Sequence, residues 1–356
     1  MRNPFGLMLA SVVAALVIAG VWFWTASPRA DAASAPQTIA AHLADPLPAA
    51  ARLGVRNGVK DGVKDTLIKD DVEVTAALSA EPAAPAPIIA QKPACANPDA
   101  LGVSRVVEVD TTGAPGFGSQ HFKQFDFLTD KEVVLTFDDG PWPNNTQAVL
   151  KALDDQCTKA VFFPIGKHAT YHPEILKLVL ADGQTIGAHT WSHANLNGKK
   201  MTEQMDKDEV EKGFSAVKWA LGGVTPQPFF RFPELQHNPA TMAYLGTRNI
   251  AIFSCDVDSW DYKRDSTPEK VVNTVMTRLD KLGKGIILMH DFQKHTAEAL
   301  PTLLRRLKEG GYKVVQMKAK FTMETLPEYD DALAHELKQP TLASRPVSSV
   351  VQTVSQ

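Results

Sequence analysis

Two histidines four residues apart, His189 and His193 in HTWSH, share one face if that segment forms a helical turn. With one carboxylate they make a two-His, one-Asp donor set that Zn2+ or a similar divalent ion accepts, with a coordination position left for water. A lone pair of histidines at this spacing is a weak signal. It gains weight because Asp138 and Asp139 stand side by side in TFDDGP and His290 ends GIILMH. Adjacent carboxylates on a turn can diverge into two roles, one holding a metal and the other staying free as a base. The competing reading of Asp-Asp-Gly-Pro is an ordinary turn, since Asp, Gly and Pro all favour turns.

The segments before these residues have a common character. Short apolar runs alternate with amphipathic stretches: VVLTF (133–137) and then Thr146–Leu153, AVFFPIG (160–166) and then Pro173–Ala181, TIGAH (185–189) and then Met201–Ala220. FFRFP (229–233), NIAIFSCDVDS (249–259), GIILMH (285–290) and YKVVQM (312–317) continue the series. Runs of four to eight β-branched and aromatic residues separated by helical patterns predict βαβ units and a mostly parallel α/β sheet, buried on both faces. Seven or so strands make a barrel plausible. Nearly every run ends in reactive residues: Asp138–Asp139, His189 to His193, Arg231, Asp256 to Asp261, and His290–Asp291. In parallel α/β folds ligand sites form at the carboxyl ends of strands.

Five of these segments, TFDDGP (136–141), HTWSH (189–193), RFP (231–233), DSWDY (258–262) and ILMH (287–290), occur in the order and spacing of the polysaccharide deacetylases, the NodB-homology or family 4 carbohydrate esterases. The resemblance covers about 130–320. It implies a distorted (β/α)7 barrel and metal-dependent removal of N-acetyl, sometimes O-acetyl, groups from a glycan. Carried over by position, Asp139, His189 and His193 hold the metal: Zn2+ first, with Co2+, Ni2+ or Mn2+ as other ions. Asp138 is the implied general base, Arg231 its orienting and charge-balancing partner, and His290 the general acid, tuned by Asp258 or Asp261. Leu288 lines a pocket for the acetyl methyl, and Pro233, Trp260 and Tyr262 are further implied substrate contacts. The elementary chemistry agrees: a divalent ion polarises an amide carbonyl, and an imidazole can give the amine leaving group its proton. A backbone N–H of the Thr136–Pro141 turn, or another backbone N–H, is a candidate oxyanion donor. Two positions depart from the family pattern. Glu234 stands where an aromatic residue is common, and could contact sugar hydroxyls, repel an acidic glycan or face solvent. Tyr262 replaces a Trp.

The rest of the chain bounds where this chemistry happens. Of 27 aromatic residues none lies between Ala26 and Ala100, so the 75 residues there, with 21 Ala and 9 Pro, lack the bulk of an independent core. Residues 26–94 read as a disordered Ala/Pro-rich linker. They follow Phe5–Trp24, twenty uncharged residues and so long enough to span a bilayer, with Arg2 on the short flank. Residues 1–25 read as an apolar helix, either an uncleaved anchor, the favoured reading, or a cleaved signal peptide with the body secreted. The body, 95–326, is expected in the periplasm, leashed to the inner membrane, with a loosely ordered tail at 327–356. The net charge of −3 and pI near 6.4 exert no general pull on nucleic acid. Three cysteines suit an exported domain, with Cys95–Cys157 the expected pair and Cys255 a buried thiol. His168 and His172 lack a carboxylate pattern, and His237 and His295 could sit near the cleft rim or, the favoured reading, at the surface. Trp142 and Trp191 could stack on sugars or pack in the core. The favoured function is N-deacetylation of N-acetylglucosamine-type glycans, peptidoglycan first. A chitooligosaccharide or exopolysaccharide deacetylase and a non-catalytic glycan-binding module are the alternatives.

Overall fold

The computed structural model describes residues 95–338. The N-terminal apolar helix and the linker up to residue 94 therefore lie outside the described residues, as does 339–356. Among the described residues no helix is long and apolar enough to cross a membrane.

The strands are β1 (Arg105–Val109), β2 (Gly116–Phe117), β3 (Glu132–Asp138), β4 (Val161–Phe163), β5 (Thr185–Ile186), β6 (Phe229–Phe230), β7 (Ala251–Phe253), β8 (Val257–Asp258), β9 (Gly285–His290) and β10 (Lys313–Ala319). The helices are α1 (Asn145–Asp155), α2 (Gly166–Tyr171), α3 (Pro173–Ala181), α4 (Glu203–Ala220), α5 (Pro239–Thr247), α6 (Pro268–Leu282), α7 (Lys294–Glu309) and α8 (Pro327–Lys338), with a 3-10 turn at Pro233–Leu235. Every strand pairing is parallel. β3 pairs with β4 and β4 with β5, and a bridge from Ala188 to Phe230 carries the ring to β6. β6 pairs with β7, the chain runs on into β8, β8 pairs with β9, and β9 returns to β3. This is a distorted (β/α)7 barrel. β10 pairs with the first residues of β3 and with β1, outside the ring.

Alternation along each strand separates two cores, because successive side chains point to opposite faces. Val134, Val161, Phe163, Phe229, Phe253 and Ile286 fill the barrel. Val133, Leu135, Phe137, Phe162, Ile287 and Met289 face the helices instead. That is why the runs read as continuously apolar. α6 shows how the outer layer is written locally. Thr267 caps it by accepting the Lys270 N–H, Pro268 opens it and Gly283 at φ 76° closes it, while Val271, Val272, Val275, Met276 and Leu279 form its buried stripe.

Two expectations need correction. The segment 327–338 is the helix α8 rather than loose tail: its acidic residues meet lysines of α4, with Lys212–Glu336 at 2.7 Å and Lys218–Asp330 at 2.9 Å, and Leu333 is buried. The run 249–259 is two strands, broken where Asp256 turns its carboxylate to accept the Ser119 and Ile286 N–H groups at 2.7 Å each.

A disulfide joins Cys95 to Cys157 across 62 residues, and Cys255 is a free, buried thiol. Closing a loop of that length stabilises a fold by roughly 4 kcal/mol in the chain-entropy account. Cys95→Ser is therefore expected to lower the unfolding free energy by about that amount in urea titration, with an unchanged far-ultraviolet spectrum.

Candidate active site and metal centre

The inward positions of β3 and β9 end in the reactive groups. After Val134 the barrel-facing residues of β3 are Thr136 and Asp138, and after Ile286 those of β9 are Leu288 and His290. Asp138 and His290 are register partners. Arg231, just past β6, reaches across with no exposed surface at all. Its Nη1 donates to Asp138 Oδ1 and to Thr136 Oγ1 at 2.7 Å each, its Nη2 donates to the Ser254 carbonyl at 3.0 Å, and its guanidinium lies 4.5 Å from the Phe163 ring centre. Burial pushes the Asp138 pKa up, against the charges of Arg231 and His290, which pull it down.

The three expected metal ligands come together. One ligand atom each from Asp139, His189 and His193 lies within 4.8 Å of the others, and both imidazole Nε2 atoms stand 3.5 Å from Asp139 Oδ1. Two observations fit a divalent ion. Asp139 Oδ1 is buried without a hydrogen-bond partner, an arrangement that is costly unless something positive completes it. His189 Nδ1 bonds the Arg231 carbonyl at 2.7 Å, which fixes the tautomer whose Nε2 lone pair faces the cluster. Burial, together with the His193 charge, holds the His189 pKa well below 6.5, so the ring stays neutral as a ligand must. Residues 189–193 are not the helical turn expected of them. They form a loop in which Thr190 (φ 63°) and His193 (φ 61°) are left-handed.

The Asp139 turn is braced from three sides. Its own φ is 75°, its N–H donates to the Phe163 carbonyl at 3.2 Å, and His168 Nδ1 bonds its carbonyl at 2.6 Å. The Gly140 N–H donates to Asp291 Oδ1 at 3.2 Å, while Thr146 Oγ1 donates to Asp291 Oδ2 at 2.6 Å. A Cβ on Gly140 would lie 2.1 Å from that carboxylate, so only glycine fits. The amides of Asp139 and Gly140 are thus already engaged, and Pro141 has none. The turn is not an oxyanion donor at those positions.

On the other side His290 Nδ1 lies 2.6 Å from Asp261 Oδ1, and the His290 N–H and Thr296 Oγ1 both donate to Asp261 Oδ2, at 2.7 and 2.6 Å. Burial alone would lower the His290 pKa, but the charge and hydrogen bond of Asp261, joined by Asp139 and Asp138, lift it to about 10. Of the two candidate partners Asp261 is the one that meets His290. Asp258 is turned away, accepting the Trp260 N–H at 2.9 Å and the Tyr262 hydroxyl at 3.3 Å. Its place at a β-strand end makes it equivalent by sequence; the left-handed Trp260 (φ 57°) reverses the chain between the two aspartates. The Tyr262 ring stands edge-on to His290 at 5.8 Å.

Leu288 is buried on the barrel face beside this pair. Trp260 is 41% exposed, yet Lys263 Nζ and Arg278 lie 3.5 and 3.8 Å from its ring centre, so it is not a bare sugar platform. Pro233 is buried and opens the 3-10 turn. Glu234 after it is exposed and left-handed, accepting from Asn195 Nδ2 at 2.9 Å. Trp142 packs on His168, His172 and Phe292. His295 Nε2 bonds the Asp261 carbonyl, and His237 packs edge-on to His121 at 5.1 Å. Sequence reasoning places Asp291 and Thr136 at strand ends without giving either side chain a bracing role, and it sets His168 aside. Asp291 offers a signal in the dipeptide His-Asp at the end of β9. His168 offers none, since its partner is a carbonyl 29 residues away.

Residues 127–250 match the family model described as polysaccharide deacetylase. A peptidoglycan-N-acetylglucosamine deacetylase of Listeria monocytogenes is 33% identical over 187 residues, 52% of this chain and 38% of that protein. The chain thus spans about two fifths of that relative's length. A peptidoglycan-N-acetylglucosamine deacetylase of Bacillus cereus is 30% identical over 194 residues, 53% of this chain and 68% of the relative. Among solved structures, a peptidoglycan deacetylase of Bdellovibrio bacteriovorus superposes with a TM-score of 0.54 at 34% identity, covering 61% of this chain and 59% of that one.

Proposed function

Because this chain belongs to the polysaccharide deacetylase family, we propose that it is a divalent-metal-dependent N-deacetylase of peptidoglycan, acting on N-acetylglucosamine. The observation that carries this reading is the pairing of Asp138 with His290 in register at one barrel mouth, beside a donor cluster with an orphaned carboxylate oxygen. The names of relatives that act on peptidoglycan support the substrate.

In this reading Asp139, His189 and His193 hold the ion, Zn2+ first, and the bound ion supplies Lewis-acid polarisation of the acetamide carbonyl and acidifies water. The remaining chemistry belongs to side chains. Asp138, whose pKa burial raises while the paired Arg231 charge opposes that rise, takes a proton from the attacking water. Arg231 is held by four acceptors, so the carboxylate it pairs with cannot swing. As the water oxygen adds to the carbonyl carbon and the C–N bond breaks, His290 gives a proton from Nε2 to the leaving amine, its Nδ1 being tied to Asp261. Leu288, beside them on the inward face, suits the acetyl methyl. We place the protein in the periplasm, tethered by its N-terminal apolar segment, where a leashed domain meets peptidoglycan first.

The test is acetate release from purified peptidoglycan by the full chain, after chelator stripping and after adding Zn2+ back. Release that depends on the metal is expected. Release from neutral chitooligosaccharides alone would favour the alternative substrate, and binding of glycans without release from any of them would favour a non-catalytic module.

A further inference from the structure

We propose that Glu209, on the outer helix α4, is a positioning residue for the divalent ion: it holds the loop 189–193 in the shape that aims both imidazoles at Asp139. The inference rests on the metal chemistry proposed above and adds to it a residue sixteen positions beyond His193, on a different element.

Three hydrogen bonds tie Glu209 to the loop. Its backbone carbonyl accepts the Trp191 N–H at 2.8 Å. Its carboxylate accepts the Ser192 N–H on Oε2 at 2.8 Å and the Ser192 hydroxyl on Oε1 at 2.6 Å. Ser192 is the residue before the ligand His193, so the carboxylate grips the loop immediately before the imidazole that must be aimed.

The loop needs that grip. Thr190 and His193 are both left-handed, at φ 63° and 61°, and non-glycine residues hold such conformations only where surroundings over-determine them. From α2 the Gly166 and Lys167 N–H groups donate to the Thr190 and Trp191 carbonyls at 2.9 Å each. Within the loop the His193 N–H donates to Thr190 Oγ1 at 2.9 Å. Those bonds fix Thr190, Trp191 and the amide of His193, and leave the Ser192 peptide and hydroxyl to Glu209.

α4 also comes unusually close. Gly213, one turn after Glu209, has no side chain where a Cβ would lie 2.7 Å from the Thr190 carbonyl carbon. On the same helix Lys212 Nζ stands 4.0 Å over the Trp191 ring. One helix face, Glu209 with Lys212 and Gly213, is thus shaped to the metal loop. Carboxylates that orient a metal site from outside its ligands commonly change metal affinity 10- to 100-fold when removed.

Chelator-competition titration of Zn2+ into the full chain tests this without reference to turnover. Glu209→Ala is expected to weaken Zn2+ binding ~10- to 100-fold. Glu209→Gln is expected to stay within a few-fold of the parent, because its carbonyl oxygen still accepts the Ser192 N–H and its amide can donate to the hydroxyl. Ser192→Ala deletes one of the three bonds and serves if Glu209→Ala does not fold; it is expected to lose affinity by several-fold. Parent-like Zn2+ affinity in Glu209→Ala, or in Ser192→Ala should the first not fold, overturns the proposal, even if melting temperature falls. A parent chain that binds Zn2+ tightly but releases no acetate sinks the proposed function and leaves this positioning role standing. A parent chain that binds no divalent ion overturns both.

Discussion

Asp138→Asn is expected to slow acetate release by ~10²- to 10⁴-fold, the usual contribution of a positioned general base, while Zn2+ affinity stays within a few-fold of the parent. The two halves of the result come from the geometry of adjacent aspartates. Asp138 faces the barrel interior and bonds Arg231, whereas Asp139 is left-handed and turns its carboxylate to His189 and His193. Asparagine keeps an oxygen for the Arg231 Nη1 donor but has no lone pair basic enough to take a proton from water. It also leaves the guanidinium without its buried counter-charge, and breaking a buried pair from one side costs about 3–5 kcal/mol. Melting and metal titration must therefore accompany the kinetics. Near-parent turnover in a folded, metal-loaded Asp138→Asn protein would remove Asp138 from the base role.

The second large effect is at His290, the proposed acid. His290→Ala is expected to lower kcat ~10²- to 10⁴-fold on an acetamide, whose amine leaving group needs a proton. Asp261→Asn tests why His290 is a suitable donor. With Asp261 the pKa of His290 stands at about 10 rather than 6.5, so the imidazolium persists through neutrality and the alkaline limb of the rate profile lies high. Without the carboxylate that limb moves down toward neutral pH by more than one unit, while the acid limb, set by the raised pKa of Asp138, stays. The same shift bears on stability. A pKa raised on folding means that the stabilisation from His290–Asp261 is fully present below 6.5 and is lost as pH rises through about 10. An unmoved alkaline limb in Asp261→Asn would show that another group sets it.

Much of the site is legible in the sequence because it is written locally. Thr136, Asp138, Leu288 and His290 share the barrel face by strand alternation alone, and the same period explains the runs buried on both sides. The reactive residues fall at strand carboxyl ends because parallel pairing puts every such end at one mouth. α8 is not legible in this way, since its acidic composition suggests solvent. Its stability comes from Lys212 and Lys218 on a helix more than a hundred residues earlier.

By itself the sequence determined which residue types stand at which strand ends, and hence a two-His, one-Asp donor set flanked by a second aspartate and a third histidine. Only the tertiary structure decided which aspartate serves His290. Asp258 and Asp261 are three residues apart, and the sign of one φ at Trp260 turns the first away and the second inward. It also decided that HTWSH is a strained loop clamped from α4 and not a helical turn, and that His168 and Asp291 brace the Asp139 turn. These are contacts over 17 to 151 residues of sequence. Alternation and turn propensity act over a few residues and cannot encode them; they arise when closure of the barrel brings separate strand ends to one place.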